Sequence, residues 1–219
     1  MLLQFIFEGE TFSLIFPDKM DPISKEIKKT GTFYEIKTLQ AVRAEYIYGG
    51  VFLDVGANVG NHTIFFSKIC GAQVLAFEPN PIVREMLTQN ITRNGVVSLV
   101  KVFPYALGNK ETKGKMVPAT HIPGMHVAET DTGSIEIKRL DDLPEIRELD
   151  RLNLIKIDVE GTEVSVLEGA VGTLRKYKPI LYIEALRPPA WRILEEYLET
   201  QGYRCTAKMN GRNYRFTPQ

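Results

Sequence analysis

The sequence has few cysteines, no excess of either charge and no long apolar run. Its two cysteines, Cys70 and Cys205, form no CxxC pair, which is typical of a reducing compartment and gives no zinc signature. Basic and acidic residues each number 27, so we expect no broad basic surface for nucleic acid. No segment reaches the roughly 18 apolar residues that a membrane span needs. Because Glu8 and Glu10 interrupt the apolar N-terminus, we also expect no signal peptide, and hence a cytoplasmic protein.

Short apolar runs alternate with amphipathic segments along most of the chain. The runs VFLDVG, QVLAFEP, VSLVKVFP, LNLIKIDVEG and PILYIEAL predict buried strands, and most are followed by a predicted helix. Near the C-terminus, YRCTAK and RNYRFT flank Asn210-Gly211, which is a strong hairpin signal. The sequence therefore predicts an α/β fold, with a mostly parallel sheet, helices on both faces and an antiparallel last strand.

The length of 219 residues predicts a single domain over 1–219. Within it, residues 1–48 hold a predicted hairpin, LLQFIF with TFSLIF, and two predicted helices that cap the site of a core formed by 49–219. Residues 104–134 are rich in glycine and proline and have no clear period. They predict a lid or binding loop, and an excursion with a hairpin of its own is the alternative. The segment TEVSVLEGAVGTLRKY predicts one continuous helix.

The stretch DVGANVG follows the first predicted strand of the core. In an open parallel sheet such a turn faces the ligand, and Gly56 and Gly60 allow close approach of the backbone. Asp54 places an acid before the turn, and Glu78 ends the next strand, where an acid accepts the hydroxyls of a ribose. The dinucleotide fingerprint GxGxxG is absent, which disfavours a nicotinamide-dependent oxidoreductase. A nucleoside with a cationic amino-acid tail and no phosphates, such as S-adenosylmethionine, suits this arrangement.

Four motifs, DVGANVGNHTIFF, AFEPNP, YALGN and IKIDVEGTEVSVLEGA, together resemble the FkbM-type methyltransferases of the class I fold. The resemblance spans about Tyr34 to Ala185. It implies a Rossmann-like, seven-stranded sheet and an S-adenosylmethionine-dependent enzyme that methylates a hydroxyl on a small molecule or sugar. The chain departs from the family at Tyr105, where members often carry asparagine or a similar polar residue.

The resemblance also implies a set of cofactor contacts. The turn after the first strand would hold the methionine portion, the acid after the second strand the ribose, and the segment after the third strand the adenine. The Tyr34-Glu35 pair resembles a short family motif that closes over the cofactor. The implied contacts are Glu35, Asp54, Gly56, Ala57, Asn58, Gly60, Asn61, Glu78, Asn80, Ala106, Leu107 and Asp158.

Four residues are candidates for contact with the methyl acceptor. Asp158 or Glu160 would touch it, with His121 or His126 as the rival base. Alternatively, the two acids only cap the helix that begins at Thr162. A divalent metal on Asp158 and Glu184 is a further alternative, but no third ligand stands at a telling spacing, so we predict no metal site. A module that binds S-adenosylmethionine without consuming it also stays possible, and the oligomeric state is open.

Overall fold

The computed structural model describes residues 1–17, 22–45, 48–118, 125–185, 188–209 and 212–219. Strands and helices alternate through most of them. In chain order the elements are β1 (Leu2–Phe7), β2 (Glu10–Ile15), α1 (Pro22–Thr30), α2 (Ile36–Ala44), β3 (Val51–Val55), α3 (Asn61–Ile64) continued by a π-helical segment (Phe65–Ile69), β4 (Gln73–Phe77), α4 (Pro81–Arg93), β5 (Val100–Phe103), β6 (Ala106–Leu107), β7 (Thr112–Pro118), β8 (Met125–Glu129), β9 (Ile135–Lys138), a 3-10 turn (Leu140–Asp142), α5 (Pro144–Arg147), β10 (Leu154–Ile157), α6 (Glu163–Glu168), α7 (Val171–Tyr177), β11 (Ile180–Glu184), α8 (Pro188–Thr200), β12 (Tyr203–Met209) and β13 (Asn213–Pro218).

A seven-stranded sheet in the order β12–β13–β11–β10–β3–β4–β5 forms the centre of the protein. The last strand, β13, runs antiparallel to β11 and β12, whereas the other neighbouring pairs are parallel. This confirms the predicted Rossmann-like fold. From β3 the chain first builds the sheet outward through β4 and β5, and then returns to the other side of β3 with β10. Ligands of open α/β sheets bind at such a reversal, so the carboxyl ends of β3 and β10 position the site.

Alternate residues of the strands face two separate apolar cores. On one face, Leu53 and Ile155 pack with the side of the molecule formed by α5, α6, α7 and α8. On the other face, Phe52 and Leu154 pack with α1 to α4 and the β1–β2 hairpin. Burial on both faces explains why the central strands read as continuous apolar runs.

Asn90 in the last turn of α4 and Asn94 directly after it hold the N-terminal hairpin in place. The side-chain amide of Asn90 accepts a hydrogen bond from the Ile15 amide at 2.6 Å and donates to the Ile15 carbonyl at 3.0 Å. Asn94 makes the same pair of bonds with the backbone of Ser13, at 3.1 and 2.7 Å. Asn90 also donates to the carbonyl of Val59, in the glycine turn, at 2.9 Å. The hairpin is thereby connected to the turn that forms part of the site.

Where the structure describes residues 104–134, they include strands β6 to β8. Their role as a lid or binding segment stays a prediction. Strands β6 to β9 form a second, four-stranded sheet in the order β6–β9–β7–β8. The β7–β8 pair is antiparallel, which matches the alternative of an excursion with its own hairpin. In β7, exposed Lys113 and Lys115 flank the buried Gly114, so this strand lacks the apolar run by which the central strands were recognised.

The predicted single helix over TEVSVLEGAVGTLRKY is two helices, α6 and α7, with Gly169 and Ala170 between them. The carboxylate of Asp141 accepts hydrogen bonds from the amides of Gly172 at 2.8 Å and Thr173 at 2.7 Å. It also accepts a bond from the Thr173 hydroxyl at 2.7 Å. A new helix therefore begins here because Asp141 satisfies its first free amides.

Two predictions involve residues that lie outside the described ranges. The predicted helix from Tyr34 is shorter, since α2 ends at Ala44, and Tyr46 lies outside the described residues. The Asn210-Gly211 turn also lies outside them, but β12 and β13 pair as a hairpin requires.

Among the described helices, none combines the length and apolarity needed to cross a membrane. The division into 1–48 and 49–219 of one domain stays a prediction.

Candidate functional site

A cavity of about 760 Å³ lies over the carboxyl ends of β3, β4, β10 and β11. Its volume falls in the range of roughly 300–1,000 Å³ that is usual for small-molecule sites. The central strands contribute Gly56, Glu78, Asp158 and Glu184 to its wall, and the second sheet contributes apolar and polar side chains from the opposite side. The predicted location at the strand ends agrees with this cavity.

The glycine turn brings backbone atoms of β3 and β10 into close contact. Gly56 has a φ of 83°, and its amide and that of Ala57 each donate to the carbonyl of Phe77 at 3.0 Å. A Cβ at Gly56 would lie 1.8 Å from the carbonyl oxygen of Asp158. Only glycine therefore fits at Gly56, and the absence of a side chain leaves the floor of the cavity as bare backbone.

Glu78 lies on the cavity wall and is only 7% exposed. Its two carboxylate oxygens accept hydrogen bonds from the amides of Asn58 at 2.9 Å and Asn80 at 2.8 Å. Burial raises the pKa of Glu78 to about 7, although these two bonds oppose the shift. Each oxygen keeps a lone pair, so the carboxylate is oriented and still able to accept two hydroxyl hydrogen bonds.

Asp54 does not line the cavity, although it was predicted to contact the cofactor. The side chain is 1% exposed and accepts a hydrogen bond from the Thr63 hydroxyl at 2.5 Å. Its other carboxylate oxygen is buried without a hydrogen-bond partner. Asp54 thus lies beneath the floor, where its charge acts on the site through the protein. Ala57, Gly60, Asn61 and Asn80 are likewise absent from the cavity wall.

Three of these residues hold other parts of the site in place. Asn80 accepts a hydrogen bond from the amide of Ile82 at 3.0 Å and so caps the start of α4. Asn61 bonds both the amide and the carbonyl of Tyr34, at 3.0 and 3.1 Å. Gly60 has a φ of 94°, and a Cβ there would lie 2.6 Å from a methyl carbon of Leu87. These contacts fix the positions of neighbouring wall residues.

Glu35 faces a second, smaller cavity of about 390 Å³, which shares Tyr34, Glu184 and Arg212 with the first. One carboxylate oxygen of Glu35 accepts a hydrogen bond from the Asn213 side chain at 2.5 Å. The other lies 3.3 Å from Nε2 of His62. Burial alone would raise the pKa of Glu35, but the His62 contact lowers it below its usual value. Glu35 therefore supports the wall between the two cavities.

Asp158 and Glu160, the predicted acceptor contacts, both line the larger cavity. Asp158 accepts a hydrogen bond from Lys156 Nζ at 2.9 Å. Glu160 has a left-handed backbone with a φ of 57°, and one of its carboxylate oxygens is buried without a partner. Burial, together with the charges of Asp158 and Glu163, raises the pKa of Glu160 to about 7.

The start of α6 shows which acid makes a hydrogen bond there. The amide of Gly161 donates to Glu163 at 2.8 Å, so the acid that serves the start of α6 belongs to the helix itself. The N-cap residue Thr162 makes no side-chain capping bond. Among the described residues, neither Asp158 nor Glu160 makes a capping hydrogen bond to α6, and both line the cavity.

Of the two candidate histidines, His126 of β8 lines the cavity. Its Nδ1 atom is buried and has no hydrogen-bond partner. His121 lies outside the described residues. Ala106 and Leu107 line the same cavity beside Tyr105, whose ring is covered by the Lys138 ammonium at 4.1 Å. The site predicted to hold adenine is thus adjacent to the second sheet.

Two functional candidates were missed from the sequence. Lys156 lies in the middle of the buried strand β10, and Arg212 lines both cavities just before β13. A lysine inside an otherwise apolar strand is a signal that could have identified the first. Within the described ranges, no group of three or more His, Cys, Asp or Glu side chains is arranged to hold a metal ion.

The residues on the cavity wall fit S-adenosylmethionine. Bare backbone at Gly56 permits close contact, and the oriented carboxylate of Glu78 suits a pair of ribose hydroxyls. The carboxylates of Asp158 and Glu160 suit a cationic group in the same cavity. A pyrophosphate would be repelled by these acids, which agrees with the absence of the dinucleotide fingerprint.

Curated relatives include methyltransferases from fungi and archaea. Methyltransferase sdnD of Sordaria araneosa is 28% identical over an alignment that covers 77% of this chain and 85% of sdnD. Hexuronic acid methyltransferase AglP of Haloferax volcanii is 36% identical over 57% of this chain. The alignment covers 52% of AglP, so the chain spans about half the length of that relative.

A solved structure shows the fold of the chain, and a family model shows its family. The crystal structure of an FkbM methyltransferase from Methylobacillus flagellatus matches with a TM-score of 0.57 and 21% identity, over 77% of this chain and 43% of that one. At this identity the match shows the fold. The model of the methyltransferase FkbM domain matches residues 54–205, which is most of the chain and includes the glycine turn, Glu78 and Asp158. The chain therefore belongs to the FkbM methyltransferases, and its methyl donor is S-adenosylmethionine.

Proposed function

We propose that this protein methylates an oxygen atom of a sugar or another small molecule, most simply a hydroxyl. The observation that carries the proposal is the cavity, in which the ribose candidate Glu78 and the acids Asp158 and Glu160 share one space. The relative AglP acts on a hexuronic acid, whose nucleophilic atoms are oxygens. The acceptor itself is a proposal, because the chain spans only part of that relative.

The residues of the cavity wall would hold the methyl donor and the acceptor next to each other in the orientation that the transfer needs. Glu78 would bind the ribose hydroxyls, and the backbone at Gly56 would approach the amino-acid portion. The bound cofactor supplies an activated methyl group on a positively charged sulfur, so the protein mainly positions the reactants. Correct positioning contributes up to about 7–11 kcal/mol in favourable cases.

Removal of the acceptor's proton requires a base on the cavity wall. Glu160 has a pKa raised to about 7, which gives it both the ionised form and proton affinity near neutral pH. Its strained backbone and its unpartnered oxygen are typical of residues kept for function. We therefore assign Glu160 as the base, with His126 as the rival on the opposite wall.

A nucleic-acid acceptor is the second candidate, because structures of RNA methyltransferases share this fold. The balanced charge of the chain, 27 basic and 27 acidic residues, favours a small acceptor instead. The second sheet also encloses the cavity with Met116 and Val127, which suits a compact ligand.

The test is a screen with S-adenosylmethionine labelled in its methyl group, against uronic acids, neutral sugars, small phenols and RNA. We expect label transfer to the oxygen of a sugar or small molecule, and calorimetry that detects S-adenosylhomocysteine but not NAD. Glu160→Gln should lower kcat by about 10²–10⁴-fold with little change in cofactor affinity. The control Glu168→Gln, on the exposed surface of α6, should behave as wild type.

Transfer of label to RNA alone would refute the proposed acceptor class. If Glu160→Gln keeps wild-type kcat while His126→Ala loses it, the base is His126 rather than Glu160. Label transfer by the wild-type enzyme with both variants equally active would remove both residues from the chemistry.

A further inference from the structure

A lysine in the centre of the main sheet requires an explanation. The side chain of Lys156 is 1% exposed and lies between Ile155 and Ile157, which belong to the apolar core on the other face of β10. An ammonium without a partner in such a place costs several kcal/mol, so it must be matched by negative charge. Its Nζ atom donates to Oδ2 of Asp158 at 2.9 Å, and the side chain of Asp158 is 26% exposed. The pair therefore connects the buried sheet with the cavity.

Ionisable groups surround Lys156 on every side. Asp54 is its cross-strand neighbour on β3, and Tyr182 is its neighbour on β11. Glu35 adds a further negative charge from the segment before α2, and His62 of α3 contacts Glu35. The ionisable groups that face this cluster are Tyr34, Glu35, Asp54, His62, Asp158, Glu160, Tyr182, Glu184 and Arg212.

The second carboxyl group beside Asp158 belongs to Glu184. Their strands pair in register with Ile157 beside Ile183, so the two carboxyl groups follow neighbouring strand ends, and both line the cavity. Two carboxyl groups placed side by side in this way disfavour double ionisation, so the pair is expected to keep one proton. Lys156 bonds Asp158, and Glu184 receives no comparable contact with the ammonium among the described residues. The negative charge therefore belongs on Asp158 and the proton on Glu184.

The direction of both pKa shifts agrees with this assignment. Although burial opposes ionisation, the charge of Lys156 lowers the pKa of Asp158 below its usual value. Burial and the neighbouring charge of Asp158 raise the pKa of Glu184 to about 9. The pair thus carries a single negative charge at neutral pH and becomes doubly charged as the pH rises through 9.

We propose that Lys156 and Glu184 are positioning residues that hold Asp158 as one oriented carboxylate on the cavity wall. Lys156 fixes the charge on Asp158 from below, and Glu184 donates a hydrogen bond to it from β11. The role of Asp158 in this inference rests on the proposed function. Where the proton and the negative charge lie among Lys156, Asp158 and Glu184 does not depend on that function.

The first test measures the proton directly. Infrared difference spectra of the full chain at pH 7, wild type minus Glu184→Gln, should contain the band of a protonated carboxyl. Wild type minus the exposed control Glu168→Gln should not contain it. In Lys156→Met the pKa of Asp158 should rise, because its counter-ion is gone, so a protonated carboxyl should persist to higher pH.

The second test is the pH profile of kcat/KM between pH 7 and 10. In the wild type it should fall about tenfold per pH unit above pH 9, where a single proton is lost. Glu184→Gln should lack this alkaline decrease, and Lys156→Arg should retain it, since the charge is kept. If Lys156→Met does not fold, the Glu184→Gln profile and the infrared spectra still decide.

An unchanged carboxyl band in Glu184→Gln, or the same alkaline decrease in that variant, would overturn the inference while methyl transfer by the wild type upholds the proposed function. Conversely, a failed acceptor screen would reject the proposed function alone, because the infrared result does not depend on turnover.

Discussion

At the scale of single residues, the buried acid Glu78 predicts a pH-dependent affinity for the cofactor. Its pKa is raised to about 7, and ribose hydroxyls donate to the ionised form, so binding favours loss of the proton. The affinity should therefore increase as the pH rises from 6 to 8, by about tenfold if one proton is coupled. Calorimetric titration with S-adenosylhomocysteine measures this change.

Glu78→Gln provides the control for that titration. It retains the shape of the side chain but cannot ionise, so its affinity should be weaker and flat across the same pH range. The same slope in wild type and variant would assign the titration to another group and remove Glu78 from ribose binding.

The close backbone contact at Gly56 predicts that a side chain at this position lowers the free energy of unfolding. Gly56 and Gly9 have the same φ of 83°, but a Cβ at Gly9 meets nothing within 4 Å. Gly9→Ala should lower the free energy of unfolding by about 1–2 kcal/mol through backbone strain alone. Gly56→Ala adds a collision with the carbonyl of Asp158 and should cost on the order of 4 kcal/mol or more. Urea unfolding gives both values, and equal losses would mean that the two strands separate easily.

At the scale of elements, the break between α6 and α7 predicts that the adjacent acids Asp141 and Asp142 contribute differently to stability. Asp141 accepts three hydrogen bonds at the start of α7, whereas Asp142 pairs with Arg139 and Arg147 at the surface. Asp141→Ala should cost about 1–2 kcal/mol as the loss of an N-cap. Asp142→Ala should cost about 0–1 kcal/mol, as for an exposed ion pair. Thermal unfolding compares the two, and equal costs would contradict the capping role.

The second sheet shows which elements the sequence could not predict. Central strands are buried on both faces and read as apolar runs, so β3, β4, β10 and β11 were recognised from their residues. Strand β7 carries exposed lysines and β8 is half-buried from His126 to Ala128, so no buried apolar run marks either strand. Their order in space depends on contacts with β9 that lie up to 25 residues away in the sequence, as in the pair of Thr112 with Ile137.

At the scale of the whole molecule, the topology was predictable because alternating strands and helices permit few arrangements. The place of the site followed from the same rule, since strand ends converge at one edge of the sheet. The depth of a side chain did not follow, as Asp54 and Glu78 show. Asp54 is the penultimate residue of β3 and lies beneath the floor, whereas Glu78 directly follows β4 and lies on the wall. The local turn decides which of the two acids faces a ligand. The spacing of these residues in the sequence does not predict it.

The bonds that Asn90 and Asn94 make with the hairpin have a consequence for self-association. The outer side of β2 would otherwise present unpaired amides and carbonyls at Ser13 and Ile15, and such an edge recruits strands from other molecules. The side-chain amides of Asn90 and Asn94 make the hydrogen bonds that a further strand would make with these backbone groups. The same two residues that fasten the hairpin to α4 thereby protect this edge of the protein from aggregation.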